Sequence, residues 1–293
     1  MIAMRSWIRL TGLLMGGAAT AAAATIGVAG ALWNRETAWT VFRLDRELAT
    51  QARYTREQLA ELPAPVRRYL DFALTPGQPL VRHARLLQTG TFALRPDRWA
   101  PFTAVEDFAV WPPGFVWDAR IRMAPLVTIR VRDSYADGEG AMRGRIAGLV
   151  PVVNQGGSAE MAVASLLRWL AEAPWLPTAL LPSAEMRWDA VDDSTARATL
   201  TDGGTTVSMD VHFGALGEIA RISAMRHRDV NGTPMLTPWE GRFRDYARVE
   251  GMMVPREGEV GWVLPDGWLP YWRGRIVRAE YRFLAVPTGG VIE

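Results

Sequence analysis

The stretch WDARIRMAPLVTIRVRDSY, Trp117 to Tyr135, decides the fold. Arginine recurs in it at every second position, at Arg120 and Arg122 and again at Arg130 and Arg132, with apolar residues between. A repeat of two is the repeat of a β-strand, whose successive side chains point to opposite faces of a sheet. The guanidinium groups therefore share one face of two neighbouring strands, and Trp117, Ile121, Met123, Ile129 and Val131 share the other.

The same alternation extends in both directions. It predicts strands near 84–94, 103–111, 114–123, 126–135 and 139–150, and again near 185–192, 195–202, 205–213, 217–226, 236–246, 256–264 and 274–284. Asp137-Gly138, Asp202-Gly203, Asn231-Gly232 and Asp266-Gly267 fall between such runs, where tight hairpin turns need positive φ. One insert, 158–182, interrupts the meander. Ser158 is placed to cap a helix whose Val163, Leu166, Leu167 and Leu170 form an apolar stripe beside Trp169. Pro174 ends that helix, and Trp175, Leu176, Leu180 and Leu181 follow among prolines as short apolar turns. Upstream, Thr55 to Gln58 is a capping-box pattern, Pro63 breaks what it starts, and Pro65 suits the first turn of a second helix. An antiparallel sheet of this many strands must curl, close or split. The expected fold is mainly β with helices: a large curved antiparallel sheet with a helical plug over its apolar face.

Composition agrees with a folded chain, 49% apolar and 22% charged. No lysine occurs, so the 33 basic residues are arginines against 31 acids, and the formal charge is only +2. Neither a basic patch nor a nucleic-acid-binding module is evident, so no nucleic-acid partner is expected. With no cysteine, disulfides, thiol chemistry and thiolate metal sites are excluded.

From Leu10 to Trp33 the chain carries no charge, roughly long enough to cross a hydrocarbon core of about 30 Å. Arg5 and Arg9 precede it, which places the N-terminus in the cytoplasm by the positive-inside rule. The expected organisation is a cytoplasmic tail at 1–9, one N-terminal transmembrane helix at 10–33 and a juxtamembrane helical connector at 34–62. An exported domain at 63–285 and a tail at 286–293 complete it. Trp7 and Trp33 would mark the two interfaces, and Gly12 and Gly16 would form a close-packing helix face. The competing reading is a cleaved signal peptide, with Ala29-Gly30-Ala31 as its cleavage site. A retained anchor puts the chain at a bacterial inner membrane with the domain on the periplasmic side.

Two resemblances bear on the fold. The stretches LPAPVRRYL at 62–70, PPGFVWDARIRMAP at 112–125, ALLPS at 179–183, TDGGTTVS at 201–208, TPWEGRFRDY at 237–246 and VPREGEVGWVLPDGWLPYWRGRI at 254–276 resemble an uncharacterised bacterial family, a domain of unknown function. That likeness implies a shared fold and transfers no catalytic residue. More distantly, the order of elements over about 63–284 is similar to the LolA-like carriers of lipoproteins and lipids. It implies an unclosed barrel whose helices plug a greasy concavity.

No catalytic constellation emerges. His83, His212 and His227 are scattered, and Asp210 with His212 supplies at most two metal ligands, so neither metal nor cofactor is expected. No G-x-S-x-G elbow occurs, and Gly203-Gly204 sits in a hairpin rather than a phosphate-binding loop. Glu257 and Glu259 could serve acid–base work or answer arginines on the next strand. Arg-x-Arg recurs at 143/145, 226/228, 242/244 and 273/275, either as an anion-binding face or as an outer face laced with Asp118, Glu240, Glu257 and Glu259. Arg275 shares parity with Tyr281 and Phe283, so either the strand bulges or that arginine points inward.

The 13 tryptophans either build a solid core or line an open cavity. The favoured function is non-catalytic binding of a hydrophobic ligand: a lipid, an acyl chain or a lipidated protein. Its expected site comprises Trp117, Ile121, Met123, Ile129, Val131, Val207, Met209, Phe243 and Trp262 on the sheet, with Trp169, Trp175 and Leu180 as a lid. The alternative is a structural accessory subunit of a membrane protein complex, and an enzyme is the third reading.

Overall fold

The protein is described from a computed structural model covering residues 24–45, 52–125 and 127–284. The first half of its sheet is β1 (Val81–Arg95), β2 (Arg98–Ala109), β3 (Gly114–Ala124), β4 (Val127–Ala136), β5 (Glu139–Ile146) and β6 (Val150–Gly156). The second half is β7 (Met186–Ala190), β8 (Thr195–Asp202), β9 (Thr205–Phe213), β10 (Ile219–Val230), β11 (Thr233–Val249), β12 (Met252–Leu264) and β13 (Gly267–Phe283). All pair antiparallel with their sequence neighbours except β6 with β7. β1 pairs with β13 along Val81 to Phe92, which joins the two halves into one curved sheet. The result is a barrel left open between β6 and β7.

The insert fills that opening. α1 is the helix over residues 24–44, α2 is Ala64–Ala73, and α3 is Ala159–Glu172. Ser158 caps α3 by accepting from the Met161 N–H, as its sequence signature predicts. Two 3-10 turns, Ala173–Trp175 and Pro177–Leu180, continue the insert across the barrel. Gly140 lets α3 lie directly on β5: a Cβ there would stand 2.5 Å from Ser165 Oγ and against the Met161 carbonyl. α2 buries Val66, Tyr69, Leu70 and Ala73, the face its spacing predicts. Thr55 to Gln58 does form a capping box, but it opens only a single 3-10 turn, Arg56–Leu59, before Pro63.

Strand directions sort the turns into two ends. Those at 95–98, 124–127, 146–150, 202–205, 230–233 and 264–267 lie together at one end, called here the hairpin end. Asp137-Gly138 at the other end and Asn231-Gly232 at the hairpin end both take the positive φ their dipeptides predict. Thirteen strands replace the expected twelve because the run 139–150 divides at Ala147-Gly148, where φ is 49° and 75°. The Arg275 question also resolves. The register slips so that Leu87 faces Arg278 but Gln88 faces Ile276. This bulge returns Arg275 to the outer face, where it pairs with Asp245 at 3.0 Å and with Glu257.

The expected membrane span 10–33 needs correction in its described part. Residues 24–33 continue without a break into a helix that reaches residue 44 and packs along the outside of the sheet. Trp33, expected at a membrane interface, is fully buried. Its ring lies 5.1 Å from Arg130 and 4.9 Å from Arg132, and its Nε1 donates to Asp118 at 3.1 Å. Arg132 also reaches Glu36 and Thr37. Among the described residues no helix is long and apolar enough to cross a membrane. The connector expected at 34–62 is thus partly this docked helix. The stretch 10–23, with Gly12 and Gly16, and the tail at 286–293 lie outside the described residues.

Candidate functional site

On its concave side the sheet carries Phe102, Ala104 and Phe108 from β2, Trp117, Ala119 and Ile121 from β3, and Ala198, Met209 and Ile222 from the other wall, all in one core cluster. This core is not packed solid. Between the sheet and the C-terminal half of α3 lies a cavity of about 380 Å³, within the range of roughly 300–1,000 Å³ usual for small-molecule pockets. Its walls include Trp117, Ile121, Met123, Ile129 and Val131, the apolar parity of the stretch that defines the fold, together with Trp175 and Phe243. Trp117, Trp175 and Trp239 at its inner end are buried, whereas Leu94, Met123, Ile129 and Val152 near the hairpin end are partly or fully exposed. The cavity therefore opens toward the hairpin end and is floored by the insert.

The remaining expected residues lie elsewhere. Trp169 is buried beside the cavity with its Nε1 donating to the Ala109 carbonyl at 3.0 Å. Leu180 is core, and its carbonyl accepts from Trp188 Nε1. Val207 and Met209 are buried on β9, which packs against α3. Trp262 stacks on Tyr271 at 5.8 Å and supports a wall residue without lining the cavity. Phe92, Leu94, Tyr271 and Trp272, which do line it, were not among the expected site residues. They sit where β1 meets β13, a pairing between the first and last strands in sequence that alternation alone does not disclose.

The floor is polar on one side. Arg168 of α3 donates to Asp133 at 2.6 Å, to Glu106 at 3.0 Å and to Glu172 at 3.0 Å, and its guanidinium lies 5.1 Å from the Trp117 ring. Gln88 joins the network, donating to Glu106 at 2.6 Å and accepting from Trp117 Nε1 at 2.9 Å. Three carboxylates around one guanidinium exceed its charge. Burial, and then the neighbouring Glu172 carboxylate, push the fully buried Glu106 well above the usual carboxylate range. Glu172 is raised as well, chiefly by burial, and its Oε2 has no hydrogen-bond partner among the described residues. A lone carboxylate on the apolar parity of β2, between Ala104 and Phe108, is the signal that could have disclosed it.

The histidines stay outside this site. His83 is buried, 3.6 Å from Asp107, and burial followed by the Arg282 charge hold it down to about 4, so it is uncharged at neutral pH. His212 bridges Thr195 and Ser223 on the outer face. Among the described residues no three acidic or histidine side chains gather as a metal site.

An open antiparallel barrel with a helical plug and an apolar internal cavity is the class of protein defined so far. The chain belongs to the family of unknown function DUF6544, whose model matches residues 52–274. Among solved structures, a LolA superfamily protein from Nitrosomonas europaea is similar at 9% identity and a TM-score of 0.35, over 76% of this chain and 96% of that one. A β-barrel-like protein of DUF1849 from Brucella abortus is similar at 10% identity and a TM-score of 0.25, over 70% and 99%. Comparison with curated proteins finds no match.

Proposed function

We propose that this protein binds the apolar chain of a lipid or lipidated molecule in the barrel cavity, without catalysis, at the surface of a bacterial inner membrane. The observation that carries the reading is the cavity itself. A space this large with apolar walls is poorly solvated by water, and each methylene placed in it gains about 0.8 kcal/mol. Arg168 and Gln88 tie Asp133 and Glu106 together across its floor, which closes the inner end and leaves the walls to the ligand.

Two features support the membrane. Val127, Leu149, Val150, Met235, Leu236 and Val263 are exposed and belong to the hairpin end, around the mouth. α1 runs from that end, where Ala29 lies against Gly148, to the opposite end, where Leu44 lies against Gly114. α1 thus begins on the side of the mouth, and in the sequence it follows the uncharged run 10–23, with Arg5 and Arg9 before that. On this reading the domain is periplasmic and its mouth faces the bilayer, from which a chain can enter without crossing water.

One observation favours a structural accessory role. Val28, Leu32, Trp39 and Phe42 are exposed on α1, with Trp39 and Phe42 stacked at 5.7 Å, a stripe that suits a protein partner. Native mass spectrometry of the full chain, released from bacterial membranes in mild detergent, separates the two. Lipid binding predicts one chain carrying an added mass that dissociates as lipid. A clean apo mass contradicts it, and a defined larger particle favours the accessory role.

A further inference from the structure

The Arg-x-Arg pairs look alike in sequence but do not share a fate. Several on the outer face answer carboxylates: Arg130 pairs with Asp118 at 2.7 Å, Arg242 with Glu240 at 3.1 Å, Arg244 with Glu257 at 2.6 Å and Arg273 with Glu259 at 2.5 Å, while Arg143 bonds the Gln155 carbonyl and Arg145 lies over the Trp33 ring. Arg226 and Arg228 are different. They follow Ile222 and Ala224 at every second position of β10, on the parity that faces the cavity, and Arg226 lines it.

Neither has an acid partner among the described residues. Arg226 lies 4.9 Å from the Trp239 ring and gives one hydrogen bond, to the Ala164 carbonyl at 3.2 Å. Arg228 Nε is buried and has no hydrogen-bond partner. The acids of the floor cannot serve them, because Asp133, Glu106 and Glu172 are all held by Arg168. A half-buried guanidinium with unused donors is costly to keep, and planar forks of this kind fit phosphate or carboxylate oxygens. Trp239 is itself fixed by donating to the Tyr271 hydroxyl at 2.8 Å, so it holds Arg226 in place over the cavity wall. Arg228 stands two residues nearer the hairpin end, toward the mouth.

We propose that Arg226 and Arg228 form the headgroup end of the cavity, taking the phosphate or carboxylate of an anionic amphiphile whose apolar chain occupies the space beside them. This rests on the hydrophobic-ligand reading and adds the charge of the ligand to it. A cavity for neutral chains needs no cation at its mouth, and a site for a free anion needs no apolar wall.

The test is calorimetric titration of the full chain with dodecyl phosphate, dodecanoate, dodecanol and inorganic phosphate. Dodecyl phosphate and dodecanoate are expected to bind roughly ten-fold or more tightly than dodecanol, the increment of a charge-assisted hydrogen bond. The double variant Arg226→Gln/Arg228→Gln should lose that margin, weakening the charged amphiphiles far more than dodecanol, and Arg226→Lys should lose only part of it. Equal binding of charged and neutral amphiphiles by the wild type, or equal weakening of both by the variant, would overturn the assignment and leave the cavity reading standing. Displacement of dodecyl phosphate by an equal concentration of inorganic phosphate would also overturn it, in favour of a free-anion site. Failure of dodecanol and both anionic amphiphiles to bind would instead sink the cavity reading itself.

Discussion

Replacing Arg168 by methionine is expected to destabilise the protein by about 3–5 kcal/mol at neutral pH, the usual cost of removing one member of a buried ion cluster. The shape of the side chain is nearly kept, but Glu106, Asp133 and Glu172 would then face one another without a cation. The sign of the pH dependence follows from the same groups. Glu106 and Glu172 are already raised above their ordinary values in the folded protein, chiefly by burial. Removing Arg168 raises them further, so the stability of the variant is present at acid pH, where they are protonated, and is lost as pH rises through their folded values. Urea denaturation followed by tryptophan fluorescence should therefore show the gap between variant and wild type closing as pH falls. Glu106→Gln in the wild-type background, which mimics the protonated acid, should cost far less than Arg168→Met. A gap independent of pH would contradict the raising of Glu106 and Glu172 by burial.

Replacing Trp33 by alanine should release α1 from the sheet. The ring is fully buried beneath Arg130, Arg132 and Arg145, and its Nε1 holds Asp118. Truncating a buried tryptophan costs about 3–5 kcal/mol, and each partly desolvated cation–π contact adds on the order of 1 kcal/mol. Because α1 lies outside the barrel, that loss should appear locally. Hydrogen exchange over 24–44 is expected to rise toward unstructured rates while β1, β2 and β13 remain protected. Slow exchange of α1 in the variant would show that Arg43 with Asp137 and Leu44 against Gly114 suffice to hold it.

Much of this architecture is legible in the residues because burial on a sheet alternates and turns have a chemistry. Trp117 to Val131 reads as one wall, and the structure places that parity around the cavity. What parity cannot say is which of two faces is inner. Arg226/Arg228 and Arg242/Arg244 have the same spacing, yet only the first pair faces the cavity, because β10 follows the parity of Ile222 and β11 that of Trp239. The anchor reading met a similar limit. An Ala- and Gly-rich run is uncharged whether it meets lipid or packs on protein, and only the tertiary contact of Trp33 with three arginines reveals which applies to residues 24–33. The split of 139–150 hid in Ala147, a residue that rarely adopts the positive φ it takes here. Trp262, Val207 and Met209 show that correct parity gives the inner face without giving the cavity, which depends on where the insert stops filling it.

The proposed function requires the space between β4, β11 and α3 to be a binding cavity and not a packing defect. Val131 lines it and is only half-buried, so Val131→Trp can turn its ring into empty volume without displacing core. The most direct measurement is titration of a fluorescent acyl-chain probe into the full-length wild type and this variant, with thermal melts run alongside. Saturable, one-to-one binding is expected of the wild type, and at least roughly ten-fold weaker binding of Val131→Trp, at equal or higher melting temperature as the void is filled. Unchanged binding by a stably folded Val131→Trp would place the ligand elsewhere and contradict the account.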